Sequence, residues 1–364
     1  MTEKEMLYSL SHLSFLTADK FDRMLEVEGS IAAIYNIEET GLQRVGCFSG
    51  EQIRKWKTMQ KNWAGFREQY HREEAAGIRF ITRWDEDYPE KLRLYSGQPY
   101  GIYVRGKLPD PDQLSVAIVG ARKCSSYGRA LAEKFGRELA EAGVQIISGA
   151  AAGIDGISQW AALQAGGASF GVLGSGVDIV YPPENAGLFS ALLEKGGLIS
   201  EYPVGRPPLA IQFPPRNRII SGLADCLVVV EARKKSGTLI TTDYALEQGK
   251  DIGAVPGRVG DGLSEGCNRL IQSGAFLVQD TEDILNILGK FGEISKKIEK
   301  KTRESLASLE KTVYSCLGLV PKHLEQIVLE AGVSLPQAME ALLTLELKGV
   351  IVRAGVNEYV KRLT

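Results

Sequence analysis

The residues with chemistry to offer are arginines, lysines and glycines placed where short apolar runs end, and the chemistry they suit is anion binding. Val116-Ala-Ile-Val-Gly-Ala-Arg122 reads as a strand that turns at Gly120 and presents Arg122 and Lys123 ahead of a helix near 127–142. The unpaired N–H groups of a helix N-terminus attract anions, and a guanidinium adds a fork of donors suited to phosphate. Ser148-Gly-Ala-Ala-Ala-Gly-Ile-Asp155 makes a second strand-to-helix turn, where Asp155 either caps the helix or serves the site. Gly174-Ser175-Gly176, followed by Tyr181-Pro-Pro-Glu-Asn185, lets backbone approach a ligand closely.

Two further loops carry most of the charge. Phe213-Pro-Pro-Arg216-Asn217-Arg218-Ile-Ile-Ser-Gly222 sets two arginines near a helix start, the unfavourable sign for the helix dipole. They take an anion, or one of them pairs with Glu201 or Asp225. Val228-Val-Val-Glu-Ala-Arg233-Lys234-Lys235-Ser236-Gly237-Thr238 runs a buried strand into a cationic loop and then a helix over 239–248. Val255-Pro-Gly257 and Ser264–Asn268 complete the rim or merely turn the chain. Neither the dinucleotide fingerprint nor the Walker spacing is present. Tyr181, Tyr202 and Phe213 lie beside these loops and either stack on bases or pack in the core.

The missing groups narrow the classes. The histidines are His12, His71 and His323, none of them near these loops, so a histidine base at this site is excluded. No carboxylate or Cys/His cluster has metal spacing. The five cysteines are widely separated, as free thiols in a reducing compartment are. Lys and Arg total 43 against 45 Asp and Glu, a net charge of -2, which excludes a uniformly basic coat but not a basic groove. The first residues lack the pattern of a secretory signal, and no apolar run of about 18 residues is present. A cytoplasmic protein is expected.

These loops need a scaffold. The 364 residues suggest two or three domains. Residues 1–75 repeat apolar positions at helical intervals and predict four or five helices, with Thr17 or Asp19 as a cap and Gly29 as a stop. Residues 76–288 hold nine short apolar runs: 78–82, 101–104, 116–119, 144–148, 169–173, 198–200, 226–230, 252–255 and 275–278. Near-continuous Val/Ile runs between helical stretches predict a doubly wound, mostly parallel α/β sheet. Residues 289–311, with seven Lys/Arg and four Glu, read as a linker. Residues 312–364 predict a winged helix, with helices over 323–330 and 336–348 and strands over 351–353 and 358–361. The second of those helices carries Glu340 and Glu346, a poor face for phosphates.

The ordered set IVGARK (118–123), GAAAGID (149–155), GSGVDIVYPPEN (174–185), SEYP (200–203), FPPRNRIISGLAD (213–225), VVVEARKKSGTLIT (228–241), AVPG (254–257) and EGCNRLIQSGA (265–275) resembles the DprA/Smf family of DNA-processing proteins. The resemblance implies an extended Rossmann domain over 76–288, flanked by a SAM-like or helix-hairpin-helix module and a winged helix. It implies a protein of natural transformation that binds single-stranded DNA and dimerises through the Rossmann domain. That protein loads a RecA-type recombinase and helps displace single-strand-binding protein, without catalytic residue, cofactor, metal or membrane. The expected DNA contacts are Gly120, Arg122 and Lys123, Gly174–Gly176, Arg216–Arg218, and Arg233–Thr238. Gln159 stands where relatives often carry His and removes a polar or packing contact; Pro183 stands where many carry Lys and removes a phosphate contact. The competing reading is a small Rossmann phosphoribohydrolase, whose PGGxGTxxE loop Ser236-Gly-Thr238 echoes. The carboxylate that should follow is absent, since Leu239-Ile-Thr241 comes next.

Overall fold

The computed structural model describes residues 1–289, 308–318, 320–355 and 357–362. The chain divides into two compact units, Met1–Leu288 and Gly289–Thr364. Most of the segment expected as a linker lies outside the described residues.

The first unit opens with helices α1 (Glu3–Ser11), α2 (Ala18–Glu28), α3 (Ile31–Asn36), α4 (Glu39–Val45), α5 (Gly50–Lys61) and α6 (Trp63–Ala75). Thr17 caps α2, and Gly29 closes it in the left-handed conformation, as expected. The pattern over 52–69 reads as one helix, but Asn62 splits it: its φ of -95° and ψ of 26° leave the helical region between α5 and α6.

Nine strands follow: β1 (Ile78–Thr82), β2 (Gly101–Gly106), β3 (Ser115–Val119), β4 (Gln145–Ser148), β5 (Ser169–Leu173), β6 (Gly197–Ser200), β7 (Cys226–Val229), β8 (Asp251–Ala254) and β9 (Phe276–Leu277). Every one falls on an apolar run identified in the sequence. They form one sheet in the order β1-β2-β6-β5-β4-β3-β7-β8-β9. β2 is antiparallel to both neighbours, and the strands from β6 to β9 are parallel. The interleaved helices are α7 (Glu90–Arg93), α8 (Ser126–Glu141), α9 (Ile154–Gln164), α10 (Ala186–Lys195), α11 (Phe213–Leu223), α12 (Gly237–Glu247), α13 (Glu265–Gln272) and α14 (Thr281–Ile287).

The chain winds from β3 outward through β4, β5 and β6, then returns to the other side of β3 with β7. That reversal opens a crevice beyond the carboxyl ends of β3 and β7, where open α/β sheets bind ligands. The strands are dry on both faces: β3, β4, β5, β6 and β7 are buried along their whole length. The opening helices continue this core rather than stand apart from it. Tyr8, Phe80 and Tyr103 pack edge to face or tilted, and Ser11 and Tyr103 share a 2.6 Å hydrogen bond.

The second unit has helices Ser308–Cys316, Leu324–Ala331 and Leu335–Leu347, with β10 (Lys322–His323), β11 (Ile351–Gly355) and β12 (Glu358–Lys361) in the antiparallel order β10-β12-β11. This is a winged-helix arrangement. Its last helix exposes Leu335, Met339, Leu343 and Leu347 at a spacing of four, and its Lys348 is tied to Glu310 at 2.6 Å. No helix among the described residues is long and apolar enough to cross a membrane.

Candidate nucleic-acid interface

A cleft of about 540 Å³ lies at the switch between β3 and β7. Gly120, Ala121 and Arg122 border it from the loop after β3, Ala151 and Asp155 from the turn after β4, and Ser236, Gly237 and Thr238 from the start of α12. Tyr181, Phe213, Arg216 and Asn217 close the remaining side. Five separate runs of sequence are thus gathered around one opening.

The loop carrying Arg122 and Lys123 is clamped at both ends by buried carboxylates. Asp155 accepts the Gly120 N–H at 3.3 Å and the Gly149 N–H at 3.1 Å. Glu231, at the end of β7, accepts the Ser125 N–H at 2.9 Å and the Ser125 hydroxyl. Asp155 is therefore not the cap of α9. Gly153 occupies that position, and Asp155 sits two residues on, in the first turn, joining two strand ends. A lone carboxylate near a strand end is more often structural, as Glu231 is, though its partner lies 106 residues away.

Gly153 has a φ of +79°, and a Cβ there would fall 2.2 Å from the Ala121 carbonyl. The left-handed backbone and the contact both demand glycine. Gly153→Ala is expected to cost about 1–3 kcal/mol of stability. Because the displaced atoms are the backbone of 121–122, anion affinity should fall with it. Urea unfolding and oligonucleotide binding measured on the same variant check this, and wild-type values in both would refute it.

Arg216 is only 4 % exposed. It donates to the carbonyls of Gly149 at 3.1 Å and Val172, and its Nε donates to Asn217 Oδ1 at 3.3 Å. Burial pulls its pKa down to about 10; Asp155 opposes that pull and the like charge of Arg122 adds to it. Burial also pushes the Asp155 carboxyl above its usual range, against the charge of Arg216 and the two backbone donors. Arg216 and Arg122 both lie over the Phe213 ring, 5.8 and 5.3 Å from its centroid. Two cations sharing one ring repel each other, and an anion in the cleft would relieve that repulsion.

The other expected residues divide clearly. Arg122, Lys123, Arg233, Lys234 and Lys235 are exposed, and among the described residues none has an ion pair. Ser236 caps α12 by accepting the Thr238 N–H at 3.1 Å, which turns that helix start toward the cleft. Arg218 belongs elsewhere: its guanidinium meets Glu201 at 2.7 Å and the Gly97 carbonyl at 2.8 Å. Burial works against its charge, but Glu201 overcomes this and raises its pKa. Asp225, the other candidate partner, pairs with Lys91 at 2.7 Å. Gly174–Gly176 do not border the cleft. They lie behind it, where a Cβ on Gly174 would meet the Phe213 ring at 2.8 Å. Lys123 faces the neighbouring groove, while Arg233–Lys235 stand on the loop that reaches the cleft at Ser236.

Of the three aromatic candidates, Tyr181 and Phe213 border the cleft with centroids 5.7 Å apart, and Tyr181 is 40 % exposed. Tyr202 instead donates its hydroxyl to the Gln212 carbonyl at 3.1 Å. Gln159 makes polar contacts of its own. It is fully buried, accepts the Ala150 N–H at 3.0 Å, and donates to Ser169 Oγ at 3.1 Å and the Phe170 carbonyl at 3.0 Å. Asn185, also overlooked, donates to the carbonyls of Ala150 and Ala151 and fixes the turn after β4. Asp155 is the one carboxylate bordering the cleft, and Thr241 borders it where a phosphoribohydrolase would need an acid. No cluster that could hold a metal ion occurs among the described residues.

A family model described as DNA recombination-mediator protein A matches residues 79–289, and one described as the DprA winged helix domain matches residues 299–355. Protein Smf of Escherichia coli is 40% identical over 273 residues, 73% of this chain and 73% of that protein. The X-ray structure of DNA processing protein A from Streptococcus pneumoniae superposes with a TM-score of 0.67 at 32% identity, covering 79% of this chain and 98% of that one. A structure of DNA processing protein A from Helicobacter pylori, described for its single-stranded DNA binding mode, superposes with a TM-score of 0.52 at 28% identity. It covers 58% of this chain and 96% of that one.

Proposed function

The chain belongs to the DNA recombination-mediator protein A family, and from that membership we propose that it binds single-stranded DNA in the β3/β7 cleft and hands the strand to a RecA-type recombinase during natural transformation. The observation that carries the reading is the cleft itself: the exposed Arg122 at its border with the Arg233–Lys235 loop beside it, a helix start and two aromatic rings around one opening, with Asp155 as its one carboxylate. Phosphates would meet Arg122 and the Arg233-Lys234-Lys235 loop, and the N–H groups of 236–238. Bases would stack on Tyr181 and against the exposed edge of Phe213. Arg216 and Arg218 act as positioning residues, Arg216 with a share of its charge facing the cleft.

In this reading the protein is a binder rather than an enzyme and uses no cofactor. It works in the cytoplasm, where its five free thiols stay reduced. Its proposed partners are the recombinase, the single-strand-binding protein it displaces, and a second copy docked through the α/β unit. The domain plan we propose keeps 76–288 as the DNA-binding part, between a helical module over 1–75 and a winged helix after a linker.

Fluorescence anisotropy with a labelled oligothymidine and a matched duplex, across a salt series, tests the reading. Binding that prefers the single strand and weakens steeply with salt is expected. Equal affinity for the duplex, or no binding at low salt, would overturn it.

A further inference from the structure

Beside the cleft, α8 and α9 enclose a second hollow of about 930 Å³. Arg122 borders both hollows, so they adjoin at that residue. The groove contains Trp160, on α9, with 41 % of its surface exposed. A tryptophan left in water gives up burial that its ring would favour. Nothing in the cleft uses it. The start of α10 lies against its edge, where a Cβ on Gly187 would meet the ring at 3.8 Å.

The cations of the groove are available. Lys123 has no ion pair among the described residues. Arg129 and Arg137 are held by exposed contacts to Glu133 at 3.9 Å and Glu138 at 3.7 Å, and such pairs contribute little in water. Glu133, Glu141 and Glu184 also border the groove, so it is not a general polyanion patch. It is an aromatic platform with positive charge concentrated at the end that joins the cleft.

We propose that this groove carries the continuation of the single strand as it leaves the cleft, with a base stacked on Trp160 and the backbone running past Lys123 toward Arg129 and Arg137. The inference rests on the reading of the cleft as a single-strand site. A track of this kind makes affinity depend on strand length: an oligomer confined to the cleft does not reach Trp160, and a longer one does.

The test compares labelled thymidine oligomers of about 5 and about 20 nucleotides on the full chain and its Trp160→Ala and Trp160→Phe variants. Trp160→Ala is expected to weaken the long oligomer about tenfold, within the range for loss of one base–aromatic stack, and to leave the short one within about twofold. Trp160→Phe should restore most of the long-oligomer affinity. Unchanged long-oligomer binding in Trp160→Ala, or equal losses at both lengths, overturns the inference and leaves the cleft reading standing. A wild-type chain that binds neither oligomer overturns both.

Discussion

Asp155→Ala is expected to lower the unfolding free energy of the α/β unit by about 3–5 kcal/mol, the cost of leaving a buried charge without its partner. The substitution removes the carboxylate whose charge offsets the burial of the Arg216 guanidinium, which keeps its carbonyl and Asn217 acceptors, and takes the acceptor away from the N–H groups of Gly120 and Gly149. Burial pushes the Asp155 carboxyl up and the Arg216 guanidinium down, so both charges are held against desolvation. A pair held in this way contributes little net stability, yet breaking it on one side is costly. The double variant Asp155→Ala/Arg216→Met should therefore be more stable than Asp155→Ala alone, although it has lost more native contacts. Urea unfolding of the single and double variants measures the coupling. A single-variant loss below about 1 kcal/mol, or a double variant less stable than the single, would show that the two groups are not an energetic unit.

The same pair marks where sequence stops being informative. The central strands β3 to β7 were legible because a strand buried on both faces needs an unbroken apolar run, and that need is local. The α5/α6 break was not, since Asn62 carries no Gly or Pro signal and only its backbone angles reveal the join. Cationic loops could be read from composition, but which cations stay free could not. Arg216 and Arg218 look alike in sequence, two residues apart in one motif. Burial against Gly149 and Val172 takes the first into the wall of the cleft, and Glu201 takes the second away from it. Sequence leaves Asp155 open between a helix cap and a site residue, because its carboxylate oxygens reach across two strand ends. The contacts of Gln159 were not legible either: its amide supplies both a donor and an acceptor to groups that the fold brings together. For the two arginines and Asp155 the deciding partners Val172, Gly97 and Gly120 lie 35 or more residues away, beyond any local window of sequence.

That division also fixes which charges a binding experiment should remove. Arg122, Arg233, Lys234 and Lys235 are exposed and without ion pairs among the described residues, so replacing all four by alanine removes the proposed phosphate contacts without opening the core. Each phosphate contact to a single strand contributes about 0.7 to the slope of log affinity against log salt. Losing four should lower the slope by about 3, and at about 0.1 M salt, one decade below the 1 M reference, weaken binding several-hundredfold. The loss should be the same for every base sequence, because backbone contacts carry no sequence information. Anisotropy at four or five salt concentrations gives slope and affinity together, with unfolding midpoints to show that the fold is kept. A slope that does not move would place the strand on other cations, the seven Lys/Arg between 289 and 311 being the densest alternative. A lost affinity with an unchanged slope would mean instead that the four side chains shape the cleft rather than meet phosphate. Only a fall in both together gives these loops the electrostatic role that their placement at the β3/β7 switch point suggests.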